Sequence, residues 1–267
     1  MHNSILFCCM DLIRKSIRAQ IIYRSNIVMN IISGFLLLVV QASVWQALFQ
    51  HCSYQGTTLS QSITYTILST VLLQKMQINP GQSIGQSVYS GDLGSNMLRP
   101  MNLLLLSTCN EAGKMIFSLL TYTIPTMIIA NVIYGILPPI GIGAFVSFLI
   151  SACFGLILFT LFDSIVGYSA FWLLNNWYMP WFESALLALF GGTIVPFWFY
   201  PQWLICITKF LPFQYFFAIP INFYLGKLSE SYIWQIAGMQ LMWIALFWGI
   251  ERLVWHAAQN KIMIQGG

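Results

Sequence analysis

Apolar residues in this chain run in long unbroken stretches rather than alternating with polar ones. Six such runs stand out, at about 26–49, 59–75, 114–137, 142–166, 182–198 and 232–255, the fourth extending toward Leu174. A helix needs roughly 20 apolar residues to cross about 30 Å of hydrocarbon. Strands of a membrane barrel alternate in polarity, so continuous runs argue against that architecture. The pattern predicts an all-α membrane protein with six transmembrane helices, forming one membrane domain over 26–267.

Three segments break the pattern. Residues 1–25 precede the first run, and Ile5, Cys9, Leu12, Ile13, Ile17 and Ile21 recur there at helical spacing, with Asp11, Arg14, Lys15 and Arg18 mostly opposite. This reads as an amphipathic helix lying in the headgroup layer, or equally as a cytosolic extension of the first span. The second segment, 74–114, is the one long polar stretch between spans; it holds helix-breaking Gly and Pro, and a short helix is expected over 91–97, started by Ser90 or Asp92. The third, 196–230, is apolar but carries Pro196, Pro201, Pro212 and Pro220, too closely spaced for a straight span. Short re-entrant external helices between spans 5 and 6 reconcile the two properties, an ordinary aromatic belt being the plainer alternative.

Within the second run, Ser60, Gln61, Ser62, Thr64, Thr66, Ser69 and Thr70 make it the most polar of the six. Such a span is expected to face protein or a wet pathway rather than lipid.

Composition sharpens this picture. The chain is 58% hydrophobic and 7% charged, with a mean hydropathy of +0.75, more apolar surface than a soluble fold of this length can bury. A net charge of +4 is too small and dispersed for a nucleic-acid surface. Of the 11 Lys and Arg, nine (Arg14, Lys15, Arg18, Arg24, Lys75, Arg99, Lys114, Arg252, Lys261) fall on one side of the expected topology and Lys209 and Lys227 on the other. The positive-inside rule then places both termini in the cytosol. Residues 1–20 lack a clean apolar core and a small-residue cleavage site, so no cleavable signal peptide is expected. Six cysteines show no CxxC spacing; Cys52 and Cys206 both face outward, which leaves a disulfide between them open.

Catalytic signatures are missing. No phosphate loop is present, since Gly113–Lys114 is followed by Met115 without the upstream Gly. His2, His51 and His256 are too scattered for a metal cluster. Asp163 is the one acid well inside a span; it suits a proton relay or, more ordinarily, a basic group or a helix end. Glu183, Glu111 and Glu251 lie near span boundaries and form no obvious cluster with it. A chain without an ATPase site or an ion pathway must receive energy from elsewhere, and the 74–114 loop is the place for a partner to dock.

The residues also carry a family likeness. Ser90–Pro100, SGDLGSNMLRP, is similar to a loop motif, Gly-191 onward gives G-x-[I/L]-x-P, P-x-W, L-P-F and a closing P-x-x-x-x-x-G, and the last span, WQIAGMQLMWIALFWGIERLVW, has a Trp-rich core and a basic inner end. In this the sequence resembles the six-span permease subunits of ABC-2-type exporters, in particular the compact bacterial group, from which its polar second span departs. The resemblance implies a bacterial inner-membrane exporter subunit that is not itself an enzyme. It implies a dimer of permeases, homodimeric or heterodimeric, each bound to a nucleotide-binding ATPase subunit that holds the ATP and Mg, with no cofactor in this chain. Carried over by position, Gly91, Asp92, Leu93, Arg99 and Pro100 belong to the region that couples to the ATPase. Gly191, Gly192, Pro196, Pro201, Trp203, Pro212, Phe213 and Pro220 shape an external cap. The expected cargo is amphipathic, lipid-linked, drug-like or peptidic. The alternatives are a membrane-embedded lipid-modifying enzyme and a non-transporting assembly factor.

Overall fold

The computed structural model describes residues 2–22, 24–51, 56–73, 77–98, 101–173 and 178–262. Among these the regular structure is all helical, without strands. The elements in order are α1 (His2–Ile22), α2 (Arg24–His51), α3 (Leu59–Ile67), α4 (Pro80–Ser90), α5 (Leu93–Met97), α6 (Leu103–Ser118), α7 (Ile124–Tyr134), α8 (Ile142–Tyr168), α9 (Met179–Phe190), α10 (Gln202–Lys209), α11 (Ala218–Tyr224) and α12 (Ile233–Ile262). Single π-helical turns continue α3 through Leu68–Leu73 and join α6 to α7 through Leu119–Thr123. At the second junction Pro125 cannot donate to the helix ladder, and the wider turn absorbs the mismatch.

Four helical stretches are long and apolar enough to cross a membrane: Ile27–Gln50, Leu103–Tyr134, Ile142–Phe171 and Glu230–Lys261. A fifth arises if Gln202–Lys209 and Pro212–Tyr224, bent by 82° from one another, are taken together. The second and fifth apolar runs form shorter helices, α3 with its π turn and α9. At about 1.5 Å per residue, the 12 residues of α9 reach only about 18 Å. The second long stretch begins at Leu103, so the last part of the 74–114 segment is the first turns of that helix rather than loop.

α8 is the hub on which α12, α4, α11 and α9 pack, while α1 lies along α6 and α2 meets α3 and α7. The largest core cluster joins Leu158 and Phe159 of α8 to Phe216, Phe217, Ile221 and Phe223. The proline-rich 196–230 segment is therefore partly the centre of the molecule: Pro212, Pro220 and most of 214–225 are buried. Its prolines sit where a helix loses nothing by them. Pro201 immediately precedes α10, Pro212 opens a 3₁₀ turn, and Pro220 lies in the first turn of α11.

The polar face of α3 turns inward, and packing against protein accounts for it. Ser62, Thr64, Thr66 and Ser69 are fully or almost fully buried. Trp45 Nε1 donates to Thr66 Oγ1 at 2.8 Å, and the Leu137 N–H donates to Thr64 Oγ1 at 3.1 Å. Tyr65 OH and Ser69 Oγ donate to the carbonyls of Gly192 and Thr193 at 2.6 and 2.7 Å. Those carbonyls belong to the non-helical link after α9, which would otherwise carry unsatisfied backbone inside the protein.

A second polar link ties the core together. Gln240 of α12 is fully buried, and its Nε2 lies 2.9 Å from the Ser151 carbonyl, 3.2 Å from Ser151 Oγ and 3.3 Å from the Tyr215 carbonyl. One side chain thus joins α12, α8 and the turn before α11. Gln240→Ala removes that donor and opens a cavity, and should lower stability by about 1–3 kcal/mol. The check is a thermal melt in detergent beside Gln259→Ala, an exposed change on the same helix; equal midpoints for the two variants would refute the role.

Candidate functional site: the buried acid under the polar loop

The polar loop folds into two short helices at one end of the bundle. Proline at the first position starts α4. α4 stops at Gly91, whose φ of +79° is a left-handed conformation that glycine adopts without penalty. Asp92 precedes α5 and accepts a hydrogen bond from Ser90 Oγ at 2.7 Å. Asn96 Nδ2 donates to Ser87 Oγ at 3.2 Å, closing α5 back onto α4. Leu93 packs on a cluster of Ile84, Leu103 and Tyr168, with Val254 and Trp255 from α12. Tyr89 OH donates to the Leu173 carbonyl at 3.0 Å; burial first, and then the nearby Tyr178, push its phenol above the ordinary range. Gly91 and Asp92 are exposed, and Leu98, at 88% exposure, ends the described part of the loop as an unpacked apolar side chain. Arg99 and Pro100 lie outside the described residues.

Below this loop sits Asp163 of α8, 5% exposed. Its Oδ2 accepts the Gly81 N–H at 2.6 Å, at the first turn of α4. A carboxylate at a helix N-terminus satisfies an orphan donor and meets the positive end of the helix dipole. Of the roles open to Asp163 in the sequence, the helix end is the one realised. The approach is close because Gly167, one turn further along α8, has no side chain: a Cβ there would collide with the Gly81 backbone.

Glu183 of α9 joins the same site, its carboxyl within hydrogen-bonding reach of Asp163. The two acids, which showed no obvious cluster in the sequence, are thus brought together by the packing of α9 on α8. They line a cavity of about 120 Å³ with Gln77, Asn79 and Gln82. Glu111, expected near a span boundary, lies in α6 and pairs with Lys114 at 2.6 Å one turn further along. Among the described residues no group of three or more His, Cys, Asp or Glu is placed to hold a metal.

The residues expected to shape an external cap divide between core and surface. Gly191, Gly192, Pro196, Pro212 and Pro220 are buried and Phe213 half-buried, whereas Pro201 and Trp203 are exposed. Beside them Lys227 lies 5.2 Å from the Trp198 ring centroid and donates to the Gly56 carbonyl at 2.5 Å. Partial burial lowers the pKa of its ammonium group. Cys206 is an exposed free thiol, and Cys52 lies outside the described residues.

The model of the ABC-2 family transporter proteins matches residues 35–266. The chain belongs to this family. It is a multi-pass membrane transport component, of a class that works with an ATPase subunit rather than hydrolysing ATP itself. Comparison with curated proteins and with solved structures gave no match.

The sequence marked Asp163 and Glu183 singly but not Gln77, Asn79 or Gly81, whose only signal was the Pro80–Gly81 helix start. If the Asp163–Gly81 bond holds α4 in place, Asp163→Ala should cost about 1–3 kcal/mol and speed amide exchange across 80–90. Asp163→Asn, which keeps an acceptor, should do less. Unchanged exchange in Asp163→Ala would show that the apolar face of α4 and the Tyr89–Leu173 bond hold it without the carboxylate.

Proposed function

We propose that this ABC-2 permease is the membrane half of an ATP-driven exporter and that α4–α5 is where force enters. The observation that carries the reading is the placement of this pair. Its first turn is tied to α8 through Asp163, and its far end presents Leu98 to solvent. A partner groove that takes Leu98 and the exposed face of Tyr89 would grip a segment already fastened to the central helix. Gly91, Asp92 and Leu93, followed by Arg99 and Pro100, make up the coupling region.

In this reading the chain crosses six times, through α2, α3 with its π turn, α6–α7, α8, α9 and α12, with α10 and α11 as a re-entrant external pair. The even count and the excess of Lys and Arg on one side put both termini in the cytosol of a bacterial inner membrane. α1 lies at the inner interface: it is fastened to α6 by Leu12, Leu106 and Cys109 and by Ser16 Oγ donating to the Asn110 carbonyl at 2.6 Å, and it leaves Phe7, Met10 and Ile22 exposed for lipid. Two permeases and two ATPase subunits form the pump. ATP and Mg bind in the ATPase subunits, whose closure shifts α4–α5 and, through α8, the re-entrant pair packed against it. The cargo is amphipathic or lipid-linked and leaves outward under the cap formed by Gly191, Gly192, Pro196, Pro201, Trp203, Pro212, Phe213 and Pro220.

The test is co-purification of the ATPase subunit with the permease. Leu98→Asp should reduce the recovered ATPase about tenfold or more, as a charge in the centre of a docking contact does, and deletion of 90–100 should abolish recovery. Expression and melting of the Leu98→Asp permease should be unchanged. Full recovery of the ATPase with both variants would place the docking site elsewhere.

A further inference from the structure

The cavity beneath α4 contains more oxygen than the protein satisfies. Glu183, 7% exposed, has a buried Oε1 without a hydrogen-bond partner, and Asn79 has a buried, unpartnered Oδ1. Gln77 adds an unpartnered Nε2 on the same wall, from an amide that a half-turn would replace with its oxygen. These groups come from separate parts of the chain, the 77–79 link and α9, and meet at one space of about 120 Å³ beside Asp163. A buried polar atom left unpaired costs about 1–3 kcal/mol, so three around one cavity point to something that they jointly hold.

Charge narrows what that is. Two carboxyls meet here, and among the described residues the walls carry no Lys, Arg or His. Glu111 of α6 adds a further negative field at Asp163, and its own partner Lys114 is half exposed. The α4 N-terminus offsets roughly half a charge at Asp163. About one and a half units remain uncompensated on the pair when both are ionised, and a buried carboxylate is not left so. A proton between the carboxyls would supply the charge but would not itself partner Asn79 Oδ1, which would then fall to water in the cavity. A small cation coordinated by carboxylate and amide oxygens supplies both, and oxygen donors of this kind suit hard cations.

We propose that the cavity binds one alkali-metal cation, held by Glu183, Asp163 and Asn79, and that this ion locks α4 against α8 and α9. The ion sits at the root of the helix pair, so its occupancy sets how firmly that pair is fixed to the membrane helices.

The full-length permease in detergent should be compared in N-methylglucamine chloride and in NaCl or KCl at equal ionic strength. Na⁺ or K⁺ should raise the melting midpoint saturably, and Glu183→Gln and Asn79→Leu should each remove the rise. Asn79→Leu leaves both acids in place, so it remains informative if Glu183→Gln fails to fold. Modification of Glu183 by dicyclohexylcarbodiimide, which adds to a protonated carboxyl, should proceed in N-methylglucamine and slow about tenfold once the cation exceeds its dissociation constant about tenfold. A midpoint indifferent to the cation, or raised equally in Asn79→Leu, overturns the proposal. So does labelling that no alkali cation slows, which would identify a proton as the neutralising charge.

Discussion

A helix that begins inside a membrane protein starts with N–H groups that neither water nor its own turns can satisfy. In this chain the Asp163 carboxylate meets that requirement for α4. The bond is short and charge-assisted, a class worth about 1.5–3 kcal/mol. It fixes the start of the polar loop to the most connected helix of the bundle. Without it the loop would be held by the apolar cluster of Ile84, Leu93, Leu103 and Tyr168 and by the Tyr89–Leu173 hydrogen bond nearer its far end, which leave its first turn less specifically placed.

The same requirement explains the most polar apolar run. Where α9 ends, the chain leaves helical geometry and exposes carbonyls at Gly192 and Thr193, and α3 turns Tyr65 and Ser69 toward them. The hydroxyls that make α3 a poor lipid-facing helix are the donors this unwound link needs. Gln240 does the same for the Tyr215 carbonyl from the opposite side. These two irregular segments are thus enclosed by donors from neighbouring helices, which lets broken backbone persist in a molecule of this hydrophobicity.

These links also lay out a mechanical path. α4 and α11 pack on different parts of α8, and α12 runs beside it. A displacement of α4–α5 would reach the bent 202–224 segment through one continuous helix, whose aromatic contacts, Phe159 with Phe216 and Phe162 with Phe213, leave little slack. Family membership makes the chain a transporter component; in the mechanism proposed above, this path is the means by which a movement at α4–α5 would be felt at α11.

Much of the architecture was legible in the linear chain, because membrane insertion reads sequence directly. Long apolar runs favour helices in lipid, so the all-helical class, four of the six expected spans as long helices and the bend in the proline-rich segment follow from composition and from proline's missing donor. The helix at the N-terminus and the Gly91–Asp92 break also follow from local chemistry. Tertiary structure alone decided the rest. It showed that the loop's last turns belong to α6 and that the proline-rich segment is as much core as cap. It also brought Asp163, Glu183, Asn79 and Gly81, spread over 79–183, around one cavity. Local propensity acts over a few residues, whereas a buried charge is neutralised by whatever the packing brings beside it, and no periodicity in the sequence records that meeting.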